Sequence, residues 1–151
     1  MQPTMLRLRA LLLRCARLMS DEINIILLSS QLNYSLWQVL YVIQSQQQCT
    51  LADISSYLNV SKPCITKRIQ YLVELDLISQ LETPDRRQKL FTLTPKGLET
   101  FAVCSTQIDA FEDQLLAQIP DKEIAASRHV LLELMQQLQP TSSQGDANEP
   151  R

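Results

Sequence analysis

A chain of 151 residues fits one compact domain or two small intergrown ones and is long enough to bury a core. Hydrophobic residues make 45%, and 26 Leu and 17 Gln stand against 2 Gly, a balance that favours helix and leaves few positions for positive φ. A Rossmann unit, a P-loop and a many-turned β-sandwich are argued against, because their turns need several glycines. The net charge of −2 averages unlike blocks: residues 1–20 carry four Arg and no acid, residues 61–97 sum to +3, and residues 98–151 to −6. Binding to a polyanion depends on such local clustering, so a small total does not exclude it.

No apolar run approaches the ~20 residues a membrane-spanning helix needs. Arg7, Arg9, Arg14 and Arg17 interrupt the N-terminus too often for a signal-peptide core. A cytoplasmic location is expected, where Cys15, Cys49, Cys64 and Cys104 stay reduced. No CxxC pair occurs and His129 stands alone, so neither a metal site nor a cofactor is expected. No nucleophile and base stand at a recognisable spacing, which argues against an enzyme.

Residues 5–30 have the periodicity of a long helix, with Met5, Leu8, Leu12, Cys15, Met19 and Ile26 at three- and four-residue steps. Ser35 reads as the N-cap of a helix over 36–46, followed by a glutamine-rich link through Gln48. Thr50 caps a short helix with Leu51, Ile54 and Leu58, and Asn59 suits a left-handed end. Ser61 caps the next helix, Pro63 sits harmlessly in its first turn, and Ile65, Ile69 and Leu72 form its apolar side to about Leu75. Residues 78–82 and 89–93 then read as one hairpin whose long tip is basic. Thr94-Pro95 opens a helix to about 118 on which Cys104 falls on the apolar stripe, and Pro120-Asp121 opens the last. From Pro140 the tail is polar and expected to be disordered.

Two short helices joined by a tight turn and followed by a basic hairpin are the parts of a winged helix-turn-helix. The second helix fits a DNA major groove, and the hairpin tip reaches sugar-phosphate or the adjacent minor groove. The expected DNA-contacting set is Ser61, Lys62, Pro63, Cys64, Thr66, Lys67, Arg68 and Gln70 on the helix, with Arg86, Arg87 and Lys89 on the hairpin. First-turn amides and the helix dipole also favour phosphate there.

The segments TLADISSYLNVSKPCITKRIQYLVELDLI (50–78) and DRRQKLFTLTPKG (85–97) resemble the MarR family of bacterial transcription regulators. The second follows the family's wing pattern, with Asp85, Arg87, Leu93, Thr94 and Gly97 in the patterned positions. The resemblance implies a mainly α fold with a small β-hairpin wing. It divides the chain into an N-terminal dimerisation helix (1–33), a winged helix-turn-helix lobe (34–97), C-terminal dimerisation helices (98–139) and a tail (140–151). It also implies a homodimer on a pseudo-palindromic operator in double-stranded DNA, acting as a repressor. Arg87 would enter the minor groove, and Asp85 would brace the wing through an ion pair to Arg68 or Arg87. The chain departs from the family pattern at Asp76, where Gly is usual, at Tyr71, where a basic residue is common, and at Pro63, where a small residue is common.

The resemblance further implies release by a small aromatic or phenolic effector, with Tyr34, Trp37, Tyr41 and Phe101 in segments able to line its pocket, or by thiol oxidation. Cys64 is the candidate thiol, since a helix N-terminus flanked by Lys62 and Lys67 favours thiolate. Cys15 and Cys104 read as core. The alternative function is a winged-helix protein-interaction module without DNA binding.

Overall fold

A computed structural model describes residues 6–85 and 87–139. Met5, Arg86 and the tail from Pro140 therefore lie outside the described residues. The elements run α1 (Leu8–Leu27), a 3₁₀ turn (Leu28–Ser30), α2 (Tyr34–Gln46), β1 (Cys49–Thr50), α3 (Leu51–Leu58), α4 (Lys62–Glu74), β2 (Ile78–Leu81), β3 (Leu90–Leu93), α5 (Pro95–Leu116) and α6 (Asp121–Leu138). The chain divides into two compact units between Ala110 and Phe111, within α5.

Side-chain caps set the starts of α2, α3 and α5. Thr50 and Asp53 form a reciprocal capping box on α3: the Thr50 hydroxyl accepts from Asp53 N at 3.1 Å, and the carboxylate accepts from Thr50 N at 2.9 Å. Asn59 ends α3 in the left-handed region (φ 54°, ψ 47°) as expected, with its N–H and that of Val60 returned to the last carbonyls. The N-cap of α2 is Asn33, not Ser35. Its side chain accepts from Leu36 N at 2.9 Å, and Asn24 of α1 accepts from Tyr34 N at 2.7 Å, which sets the first turn two residues earlier. The glutamines through Gln46 complete α2 rather than forming a link.

Positive-φ positions are few among the described residues, as the scarcity of glycine suggests, but none of them is a glycine. Gln31, Gln47, Asn59 and Asp76 all adopt φ between 54° and 65°. Asp76 is the informative one: at φ 61° it ends α4 where the family usually has Gly, and Leu77 N closes the turn onto Leu72 O at 2.9 Å.

The hairpin expected from the sequence is two strands of a three-stranded antiparallel sheet ordered β1-β3-β2. Cys49 and Thr50 pair with Phe91 and Leu90, and Ile78 through Leu81 pair with Leu93 through Leu90. Beneath it, Ile65, Ile69 and Leu72 of α4 pack into a core with Leu40 and Ile43 of α2 and Ile54 of α3. Full burial of one such side chain contributes about 1.5–3 kcal/mol, so the apolar edge of α4 fixes how the rest of that helix is presented.

The root of the hairpin is built at Thr94. Its N–H donates to Leu77 O at 3.1 Å, its hydroxyl donates to Asp76 O, and the same oxygen accepts from Gly97 N at 2.9 Å, capping α5. Gly97 stands so close to the residue preceding β2 that a Cβ built on it would lie 2.0 Å from Leu77 O. This close approach is the physical reason for glycine at that place in the wing pattern.

Candidate nucleic-acid interface

The sequence of α4 separates two faces. Ile65, Ile69 and Leu72 turn inward, and Lys62, Thr66 and Gln70 fall on a neighbouring edge at the ~100° step per residue. That edge meets the wing across an open groove of about 940 Å³. Lys62, Thr66, Gln70, Arg87 and Lys89, all expected from the sequence, line it together. Thr50, Ala52, Glu74, Gln80 and Gln88 line it too and were not anticipated. Thr50 and Ala52 come from the start of α3, where the capping signal drew attention to the helix end rather than to its outward face.

The other expected contacts are placed differently. Ser61 is exposed at the N-cap position of α4 and makes no capping bond with its side chain. Pro63 and Lys67 are exposed and Cys64 is half-buried, and none of the three lines the groove. Thr66 spends its proton on Lys62 O at 2.9 Å, which leaves its oxygen free to accept. Arg68 directs Nη1 to Ser35 O at 3.4 Å, toward α2, and is also absent from the groove lining. Arg86 lies outside the described residues.

The wing tip is held by its own main chain. Asp85 Oδ1 accepts from Arg87 N at 3.0 Å, Gln88 N donates to Asp85 O at 3.1 Å, and the Thr83 hydroxyl lies within 2.8 Å of the Asp85 and Gln88 carbonyls. Asp85 thus bonds the tip through a backbone amide. The ion pair to Arg68 or Arg87 implied by the resemblance does not form. Among the described residues, ion pairs join only Arg17 to Asp21 at 3.2 Å and His129 to Glu133 at 3.8 Å. A carboxylate that takes a main-chain N–H fixes the turn and leaves both guanidinium groups uncommitted to it. The Arg87 side chain is exposed beside the groove.

The four aromatic residues separate into two pairs. Trp37 is buried and stacks on Phe101, ring centroids 4.6 Å apart and planes 9° from parallel, so these rings are packing partners. Tyr34 and Tyr41 are exposed on α2. The cysteines also differ. Cys104 is buried, as expected, with Sγ 3.4 Å from Ser30 Oγ, but Cys15 is exposed rather than core. Cys49 is buried on β1, and its thiol is pushed up to about 11, first by burial and then by the Asp53 carboxylate. Among the described residues, no group of three or more His, Cys, Asp or Glu could hold a metal ion, and no helix is long and apolar enough to cross a membrane.

Residues 32–97 match the winged helix DNA-binding domain. The chain is 32% identical over 122 residues to YwoH of Bacillus subtilis, an HTH-type transcriptional regulator, covering 81% of this chain and 89% of that protein. A Staphylococcus aureus HTH-type transcriptional regulator is 34% identical over 86 residues, 56% of this chain and 59% of its own length. Among solved structures, S. aureus MarR in complex with salicylate and kanamycin superimposes with a TM-score of 0.78 at 27% identity, covering 83% of this chain and 86% of that one. A mutant MarR from E. coli complexed with operator DNA gives a TM-score of 0.77 at 20% identity over 85% of this chain and 93% of that one.

Proposed function

The chain belongs to the MarR family of winged helix-turn-helix transcriptional regulators, and on that premise we propose that it is a repressor that binds a pseudo-palindromic operator as a homodimer. The family's activity is regulation through DNA, and these relatives are regulators rather than enzymes. The observation that carries the residue-level reading is the shared groove, which gathers Lys62, Thr66 and Gln70 of α4 with Arg87 and Lys89 of the wing. In this reading α4 enters the major groove, Gln70 offers its amide to base edges, Lys62 and Lys67 meet phosphates, and Arg87 reaches the minor groove with Arg86 and Lys89 beside it. Ser61, Pro63 and Cys64 bring the first turn of α4 to the backbone.

Two-fold binding needs two lobes with recognition helices about 34 Å apart. Large apolar side chains are exposed on α1 (Leu8, Leu13, Leu18 and Ile25) and on α6 (Leu132, Met135 and Leu138), which supports their burial between two copies. The S. aureus MarR solved with salicylate supports a small aromatic acid as the releasing effector, taken beside the exposed Tyr34 and Tyr41 near Trp37 and Phe101. Thiol oxidation at half-buried Cys64 is the other route of release, and the site of action is the cytoplasm.

The test is to select bound fragments from sheared genomic DNA with the purified protein, then to titrate affinity against salt. Phosphate contacts give a steep fall of log affinity with log salt. Indifference to every duplex at low ionic strength overturns the reading in favour of a protein-interaction module.

A further inference from the structure

Arg68 and Tyr71 lie one helical turn apart on α4, on the side opposite the groove. Taken at ~100° per residue, they sit about half a turn from the edge that carries Lys62, Thr66 and Gln70. Both reach across to main-chain carbonyls at the start of α2, Tyr71 to Gln31 in the segment that joins α1 to α2 and Arg68 to Ser35 in the first turn of α2. Arg68 Nη1 donates to Ser35 O at 3.4 Å, and Tyr71 Oη donates to Gln31 O at 3.3 Å. One turn further on, Leu75 O accepts from Lys96 Nζ of α5 at 3.0 Å. Three side-chain to main-chain bonds thus run along a single edge of the recognition helix.

The segment they grip is itself fixed. Gln31 is left-handed at φ 59° and returns its N–H to Leu28 O at 3.0 Å, and Leu32 N bonds Leu27 O at 3.1 Å. Asn24 and Asn33 hold the next turn through Tyr34 N and Leu36 N. An anchor tied in this way restrains a helix; a free loop would simply follow it.

We propose that Arg68 and Tyr71 are positioning residues that seat the recognition helix by latching it to the α1–α2 connection and the first turn of α2, rather than residues that touch DNA. The proposal rests on the DNA-binding reading above and takes Arg68 out of the contact set expected from the sequence. Tyr71 stands where the family commonly has a basic residue, so in this chain a neutral hydroxyl performs the fastening and contributes no charge to phosphate binding.

The experiment compares Tyr71→Phe, Arg68→Met and Lys67→Ala with the wild type, using the selected operator fragment and a random-sequence duplex across a salt series. Both bonds are solvent-accessible, so each latch variant is expected to weaken operator binding about two- to fivefold. Random-duplex affinity and the salt slope stay at wild-type values, whereas Lys67→Ala lowers the slope. In the free protein, amide hydrogen exchange over residues 31–36 quickens in Tyr71→Phe. A slope reduced by about one unit in Arg68→Met makes Arg68 a phosphate contact and overturns the proposal. Operator affinity equal to wild type in both latch variants, or unchanged amide protection, also overturns it. A wild type that binds no duplex instead overturns the DNA-binding reading, and the exchange result still judges the latch.

Discussion

Replacing Gly97 by Ala tests the construction of the wing root. The added methyl carbon would sit 2.0 Å from Leu77 O and 3.0 Å from Leu77 C, both main-chain atoms that no rotamer change can move. Relief requires more than 1 Å of backbone displacement between the start of β2 and the first turn of α5, since ordinary contact begins near 3.4 Å. Leu77 O also accepts from Thr94 N, so the displacement strains that bond and the cap from Thr94 to Gly97 N. Overpacking costs about 1–3 kcal/mol and a weakened hydrogen bond about 1 kcal/mol more. The expected loss is therefore about 2–4 kcal/mol, a large part of the ~5–15 kcal/mol of a typical domain. With a urea slope of about 2 kcal/mol per molar, the midpoint falls by about 1–2 M. Trp37, the chain's single tryptophan, is buried against Phe101 and reports the transition by fluorescence at one fixed protomer concentration. A midpoint within about 0.3 M of wild type would refute the close-approach argument.

Arg87→Ala is expected to lose most operator affinity in a gel-shift titration while sedimenting as wild type, and undiminished binding would remove the wing from the interface. Lys67→Ala should weaken binding and lower the salt slope by about one unit if its ammonium neutralises a phosphate; an unchanged slope makes it surface charge. Asp76→Gly should raise the melting temperature, because glycine adopts φ near 61° without the ~1 kcal/mol cost of a side chain there; a lowered melting temperature would mean the aspartate earns its place by another contact. Iodoacetamide at neutral pH should label Cys15 and Cys64 before Cys49 and Cys104, which react only on unfolding. The raised Cys49 thiol keeps its proton in the folded state. Its contribution to stability is therefore complete below the unfolded value of 9.0 and declines as pH rises from there toward about 11. Cys49→Ala should flatten that alkaline decline, as read by urea midpoints between pH 8 and 11, and an equally steep decline in the variant would contradict it.

The helix-turn-helix was legible because its signals are local. Thr50, Asn59 and Pro63 mark helix ends by chemistry confined to a few neighbours, and Ile65, Ile69 and Leu72 declare a buried edge by spacing alone. What stayed hidden depends on partners remote in the chain. Asn33 and Ser35 are equally good caps, and Asn24 on α1 decides between them. β1 is two residues long, has no periodicity, and exists only because β3 comes to lie beside it. Glycine was a poor guide to left-handed turns, since Gln31, Asn59 and Asp76 are held there by main-chain bonds at helix ends.

At the site, residue type identified cations but not their direction. Lys62 and Arg87 share the groove, while Arg68, only six residues beyond Lys62, turns to Ser35. Asp85 matched its pattern for a different reason, a main-chain turn in place of an ion pair. Aromatic identity likewise could not separate the stacked Trp37 and Phe101 from the exposed Tyr34 and Tyr41.

Among the described residues, the hydrogen bonds that fasten α4 to the start of α2 come from the side opposite the edge bearing Lys62, Thr66 and Gln70, so in the proposed reading base preference and mounting fall to separate residues. An engineer could rewrite the outward positions to retarget the protein while the mounting side is left alone. The same partition makes divergence among duplicated copies of such a gene cheap, since a new target costs no refolding.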